Sequence, residues 1–163
     1  AEEMPFQGHL ADTILGQDKV MVTPLQVAQM FSVIANNGKM VNPRLVMELT
    51  TTEGFTVNSY PPDRGRMVLL PSTVNRLKYM LTSVTQYGTG TEAAVKPWIT
   101  AGKTGTAQTG VIIDEAEKNV YWFAGFTPVE RPEAVVVVLI EEGKGKTAAY
   151  VYGEIMAGIL NLN

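Results

Sequence analysis

Residues 134–140, Ala-Val-Val-Val-Val-Leu-Ile, carry no polar side chain at any position. Successive side chains of a strand point to opposite faces, so a run that is apolar at every position needs cover on both. The sequence therefore predicts a central strand over 134–141 with other elements packed above and below it. Three segments have the pattern of that cover. Thr23-Pro-Leu-Gln26 is a helix start: Thr23 caps, Pro24 takes the first helical position and Gln26 completes a capping box. Val27, Ala28, Phe31, Ile34 and Ala35 then fall on one face and Gly38 supplies the stop, which predicts a helix over 24–36. Val74, Leu77, Leu81 and Val84 predict a second helix over 72–87, ending at Gly88. Thr147 to Leu160 reads as a closing helix with Ala148, Val151, Ile155 and Ile159 as its buried stripe.

Extended segments are expected at 42–52 and 54–59 around a Glu53-Gly54 turn, at 66–70, and at 98–108 and 120–127. The connections among the last strands are short enough for antiparallel hairpins and one sheet. The class is α/β in the loose, α+β sense: an antiparallel sheet flanked by helices. With 163 residues, 45% of them hydrophobic, the chain can bury one core, so residues 1–163 are read as one domain or part of one.

Thirteen basic and sixteen acidic residues leave a net charge of −3 without a basic run, which speaks against a nucleic-acid or anionic-membrane surface. Cysteine is absent and His9 is the only histidine, so disulfides, thiol catalysis, zinc clusters and any Ser-His-Asp triad not built on His9 are excluded. No acidic partner stands at a diagnostic spacing from His9, which favours a surface role over a catalytic one. Neither a cofactor nor a metal is expected. Ala1-Glu-Glu-Met-Pro has no basic or apolar leader character, and no segment reaches the roughly 18 apolar residues of a membrane span.

Ala101-Gly-Lys-Thr-Gly-Thr-Ala-Gln108 concentrates chemistry on one short strand. Thr104 and Thr106 share a face, Lys103 supplies a cation, and Gly102 and Gly105 leave the backbone bare for a ligand. Such groups suit a carboxylate-bearing substrate whose carbonyl must be polarised. An ordinary exposed edge strand is the alternative. A phosphate loop is excluded at both Gly-Lys-Thr sites, because Pro97 and Ile140 stand where its first glycine is required. Trp98, Trp122 and Phe123 are read as core packing and cleft wall, and Glu141 and Glu142 as a solvated strand end.

The AGKTGTAQ segment, preceded by Thr89-Gly-Thr91 and followed by Tyr121-Trp-Phe-Ala-Gly-Phe126 and the Val135–Ile140 strand, resembles the last third of a penicillin-binding protein transpeptidase domain. Gly16-Gln17, Thr23-Pro-Leu-Gln-Val-Ala28 and Ala35-Asn-Asn-Gly38 match the same domain in the same order, in the manner of the high-molecular-weight synthases. The resemblance implies the C-terminal portion of the serine penicillin-recognising transpeptidase fold and a role in cell-wall peptidoglycan cross-linking on the extracytoplasmic face of a bacterial membrane. It implies stem peptides ending D-Ala-D-Ala as substrates and β-lactam antibiotics as ligands. It casts Lys103 in the proton relay, Thr104 and Thr106 as holders of the peptide carboxylate, the Thr106 N–H as an oxyanion donor, and Gly105 as the residue that keeps the strand thin.

The chain departs from the family pattern in one respect. Its serines stand at 32, 59, 72 and 83, and three positions on are Ala35, Pro62, Asn75 and Gln86, so no Ser-x-x-Lys element exists, nor a Ser-x-Asn. In family order both precede residue 1. The chain is therefore expected to lack the acylating half and to partner the N-terminal portion of the same transpeptidase domain, whose strands would lie beside 134–141. A β-lactam sensor of the same fold and a nonenzymatic scaffold remain the alternatives.

Overall fold

The computed structural model describes residues 21–113, 116–141 and 145–161. His9 and Gly16-Gln17 lie outside the described residues, as does Glu142. In chain order the elements are α1 (Pro24–Ala35), β1 (Lys39–Met40), β2 (Glu48–Thr50), β3 (Thr56–Ser59), β4 (Arg66–Met67), α2 (Pro71–Tyr87), a 3₁₀ turn (Thr91–Ala93), β5 (Ala101–Ile113), β6 (Ala116–Thr127), β7 (Ala134–Ile140) and α3 (Ala148–Asn161).

α1 starts as its sequence dictates. The Thr23 hydroxyl accepts from the Gln26 backbone N–H at 3.3 Å, and the Gln26 side-chain oxygen accepts from the Thr23 N–H at 2.8 Å. At its far end Gly38 takes a left-handed φ of +91° and donates its N–H to Val33 O at 2.8 Å, which closes the helix. The β2–β3 hairpin turns at Glu53-Gly54 as expected but is shorter than the sequence suggested, and every residue in both strands is exposed. Pro43 has no N–H to give a ladder, and pairing begins only beyond it, at Glu48. The short strand at Arg66–Met67 pairs with Lys39–Met40, a partner over which the local pattern is silent.

β5, β6 and β7 form one antiparallel sheet in that order. Directly paired residues share a face, which sorts the core into two layers. Ala101, Ala124 and Phe126 pack with Phe31 and Ile34 of α1 and Val74 of α2, and Val135 and Val137 of β7 join them. Phe123 and Val138 pack on the opposite face against Tyr152, Met156 and Leu160 of α3. β7 is thus covered on both faces, as its composition requires. It lies at the end of the three-strand order among the described residues, so the central position expected for it would require strands from beyond this sheet.

The buried stripe of α3 is also corrected. Ala148, Ala149, Tyr152, Met156 and Leu160 are buried, whereas Ile155 is 42% exposed. The i, i+4 series through Tyr152 and Met156 wins because the Phe123 ring stacks at a tilt on Tyr152, with centroids 4.7 Å apart, and the Tyr152 hydroxyl finds a partner in Thr127 at 2.9 Å.

Candidate functional site

The predicted binding strand is the first half of β5, and it forms one edge of the sheet among the described strands. Thr104 opposes Phe123 and Thr106 opposes Tyr121, so both threonines stand on the α3 face, as their spacing predicted. Lys103 opposes Ala124 and Gly105 opposes Trp122, which puts them on the other face. A half-open cavity of about 460 Å³ lies against Thr104, Gly105 and Thr106. Its apolar wall is Tyr121 and Ile140, with Trp122 bordering it from the other face of the sheet, and its far side is the start of α3 with Lys146, Thr147 and Ala148.

Lys103 does not line this cavity, yet its ammonium bends round the strand edge. Its Nζ donates to the Thr104 carbonyl oxygen at 2.8 Å and to the Thr104 hydroxyl at 3.4 Å. On the cavity side the Thr104 hydroxyl meets the Thr89 hydroxyl at 2.7 Å. A hydroxyl oxygen that accepts from an ammonium is polarised, and its own proton becomes a better donor. The arrangement can therefore grip an anion at the rim: two adjacent hydroxyls, backed by a cation, with Thr106 one step further along the same face.

Lys146 and Thr147 extend the polar rim. Lys146 lines the cavity, and its ammonium sits 4.3 Å from the Tyr150 ring centroid in a cation–π contact. Thr147 caps α3 by accepting from Tyr150 N at 3.1 Å and donates its own proton to a Glu92 carboxylate oxygen. Thr89, Lys146 and Tyr121 were not assigned roles from the sequence. The Thr89-Gly-Thr91 signal was visible, but the pairing of Thr89 with a residue on a later strand was not. Of the aromatic residues, Phe123 is core, Trp122 borders the cavity, and Trp98 is 37% exposed and outside the cavity.

The two glycines of the motif do different things. A Cβ on Gly102 would lie 2.4 Å from Phe123 Cζ and 2.9 Å from Ala124 O, so Gly102 serves core packing instead of ligand approach, a correction to the reading of a bare backbone. Gly105 is exposed, and a Cβ there would sit 3.3 Å from Trp122 Cβ.

The site is thus an edge strand that offers hydroxyls and an ammonium to an anion, on a sheet with helices on both faces. The chain belongs to the family described as penicillin binding protein transpeptidase domain, whose model matches residues 2–161. It is 34% identical to the penicillin-binding protein PbpB of Mycolicibacterium smegmatis over 90% of this chain and 25% of that protein. It is 31% identical to the same organism's peptidoglycan D,D-transpeptidase PbpA over 83% of this chain and 27% of the relative. Among solved structures, the D,D-transpeptidase domain of a peptidoglycan glycosyltransferase from Eggerthella lenta is 32% identical with a TM-score of 0.74, covering 87% of this chain and 33% of the other. The imipenem acyl-enzyme complex of penicillin-binding protein A from M. tuberculosis superposes with a TM-score of 0.82 at 26% identity, over 96% of this chain and 35% of that one. The chain thus spans about a quarter of the curated relatives' length, between 25% and 27% for these two.

Proposed function

We propose that this chain supplies the Lys-Thr-Gly wall of a serine D,D-transpeptidase that cross-links peptidoglycan stem peptides and binds β-lactams. The observation that carries the reading is the Thr89–Thr104 hydroxyl pair at 2.7 Å, backed by Lys103 and opening into the cavity that Thr106 also lines. In the reaction, a serine hydroxyl attacks the carbonyl of the penultimate D-Ala, the terminal D-Ala leaves with a proton, and an amine then takes the acyl group. Thr104 and Thr106 hold the terminal carboxylate, Lys103 supplies positive charge and a proton path, the Thr106 N–H faces the developing oxyanion, and Gly105 lets the substrate backbone lie close. The names borne by relatives, peptidoglycan D,D-transpeptidase among them, support an enzyme over a sensor or scaffold.

No Ser-x-x-Lys occurs in the 163 residues, so the nucleophile belongs to other polypeptide, and the N-terminal portion of the same domain is the partner we propose. The free side of β7 supports this: its faces are covered, but its outer edge has no strand partner among the described residues, an arrangement that invites further strand pairing. The reading places the assembled domain on the extracytoplasmic side of the bacterial membrane, where its substrate is.

A fluorescent penicillin tests the whole reading. The isolated chain should take no covalent label, and the full-length protein should be labelled at a serine outside these residues. Labelling of the isolated chain, or none of the full-length protein, would refute it.

A further inference from the structure

Behind the gripping wall lies a feature the proposed reaction does not itself use. Thr85, Thr100, Thr127 and Tyr152 come from α2, the lead into β5, the end of β6 and α3, and their exposures are 2%, 3%, 0% and 0%. Three of their hydroxyls are linked, and that of Thr85 joins them through the Thr100 carbonyl. Thr127 donates to Thr100 Oγ1 at 3.0 Å and lies 2.9 Å from the Tyr152 hydroxyl. Each hydroxyl has one proton, and that of Thr127 is committed to Thr100, so Tyr152 donates to Thr127. Thr100 Oγ1 also accepts from Val95 N at 3.4 Å, and the Thr100 carbonyl, at 2.6 Å, is the nearer of two acceptors for the Thr85 hydroxyl, Thr82 O lying at 3.0 Å. Burial raises the Tyr152 pKa, which keeps its phenol neutral and able to donate.

Resting on the reading above, we propose that this buried hydroxyl chain is a positioning device for transpeptidation, with Tyr152 and Thr85 as positioning residues that fix the root of β5 and hence the place of the Lys103–Thr106 wall. A buried, hydrogen-bonded hydroxyl adds little net stability over an apolar group of the same shape, so what these bonds add is direction. Hydrogen bonds set distance and angle, whereas apolar contacts allow sliding. Thr100 directly precedes the first β5–β6 pair, Ala101 with Phe126.

A second tether confirms the geometry of the bracket. Thr85 holds Thr100 and Thr89 holds Thr104, and in both pairs the partners are fifteen residues apart. The end of α2 and the segment behind it therefore run in step with β5 and hold it at two points. Beyond Gln108 the β5–β6 pairing shifts register, and Thr109, Gly110, Val111 and Ile112 are exposed, so the bonds at that end, such as Thr109 Oγ1 to Lys118 O at 2.7 Å, lie outside the core. Thr100 and Thr104 are separated by roughly 13 Å of strand. A tilt at the root is carried to the wall, and a displacement of about 1 Å in a reacting geometry lowers rates by up to about a hundredfold.

The test uses the full-length protein, with Tyr152→Phe, Thr85→Val and Thr85→Ser as variants and Leu160→Ala, near the far end of α3, as a control for loss of core packing. The readouts are the second-order rate of acylation by a fluorescent penicillin and the melting temperature. Tyr152→Phe and Thr85→Val should acylate roughly tenfold more slowly, Thr85→Ser should recover most of the rate, and Leu160→Ala should acylate within about twofold of wild type despite a comparable fall in melting temperature. Wild-type rates in the two hydroxyl-deleted variants, or losses no greater than that of Leu160→Ala, would overturn the proposal. If Tyr152→Phe does not fold, the contrast between Thr85→Val and Thr85→Ser decides. A wild-type protein that takes no label sinks the functional reading and this inference together; a labelled wild type with unaffected variants sinks this inference alone.

Discussion

Gly102→Ala puts the relation between the core and the binding wall to a direct test. The new methyl would stand 2.4 Å from Phe123 Cζ, 2.7 Å from Phe123 Cε1 and 2.9 Å from Ala124 O. Carbon atoms in contact prefer about 3.5–4.0 Å, so relief needs a movement of about 1 Å. The Phe123 ring has little room to give, because it is fully buried and stacked on Tyr152. Rotating the ring would in any case leave the clash with the Ala124 carbonyl, which is backbone. The strain therefore falls on β5, which must lift away from β6 at the site of its motif. Overpacking of this kind costs about 1–3 kcal/mol, and at about 2–4 °C per kcal/mol the melting temperature should fall by several degrees. The double variant Gly102→Ala/Phe123→Leu opens space at the ring and should show a favourable coupling of about 1 kcal/mol in a thermodynamic cycle, without full recovery. Calorimetry of the four proteins, each in full-length form, measures the coupling, and their acylation by a fluorescent penicillin reports the wall. Additive losses within error, or a Gly102→Ala protein with wild-type stability, would refute the packing account.

Further outcomes follow from other sites. Thr23→Ala removes one half of the α1 capping box and should cost about 1 kcal/mol in denaturant unfolding, while Thr23→Ser should be nearly neutral. Gly38→Ala should cost more than the cap, because φ is +91° and the added Cβ would meet Leu69 O at 2.4 Å; urea midpoints of the two variants rank them. Thr104→Val/Thr106→Val should leave stability within about 1 kcal/mol while slowing β-lactam acylation roughly a hundredfold, as loss of donors to a bound anion requires. Burial raises the Tyr152 pKa above its ordinary 10.0, so the folded chain keeps a proton that the unfolded chain releases. That contribution is intact below about pH 10 and is lost above it at about 1.4 kcal/mol per pH unit. The slope of stability against pH in that alkaline range should be shallower in Tyr152→Phe than in wild type, and equal slopes would contradict it.

How much of this was legible in the sequence depended on how local the signal was. The capping box of α1, the apolar faces of α1 and α2, and the double-sided burial of β7 are written in neighbouring residues and appear as read. The α3 stripe was misplaced because Ile155 is the more hydrophobic residue, whereas Tyr152 is buried through a ring on β6 and a hydroxyl on the same strand. Gly102 resembled a ligand-facing glycine until Phe123 was seen beneath it. Thr89 is legible in the sequence only as part of Thr89-Gly-Thr91, and its pairing with Thr104 arises only once the chain between them has folded.

The placement of Lys103 and the threonines on opposite faces has a mechanistic consequence. Within a sheet interior, residues separated in this way could never act on one ligand, since the backbone and its neighbouring strands divide them. At an edge they can. β5 has β6 on one side and no strand on the other among the described residues, and the Lys103 side chain uses that gap to reach the Thr104 carbonyl at 2.8 Å and its hydroxyl at 3.4 Å. A substrate laid along this edge would meet the ammonium from one face, hydroxyls from the other, and backbone N–H groups from the strand itself. On the proposed function the motif needs β5 unpaired on its outer side, which would leave the β7 edge of this sheet for the proposed N-terminal partner.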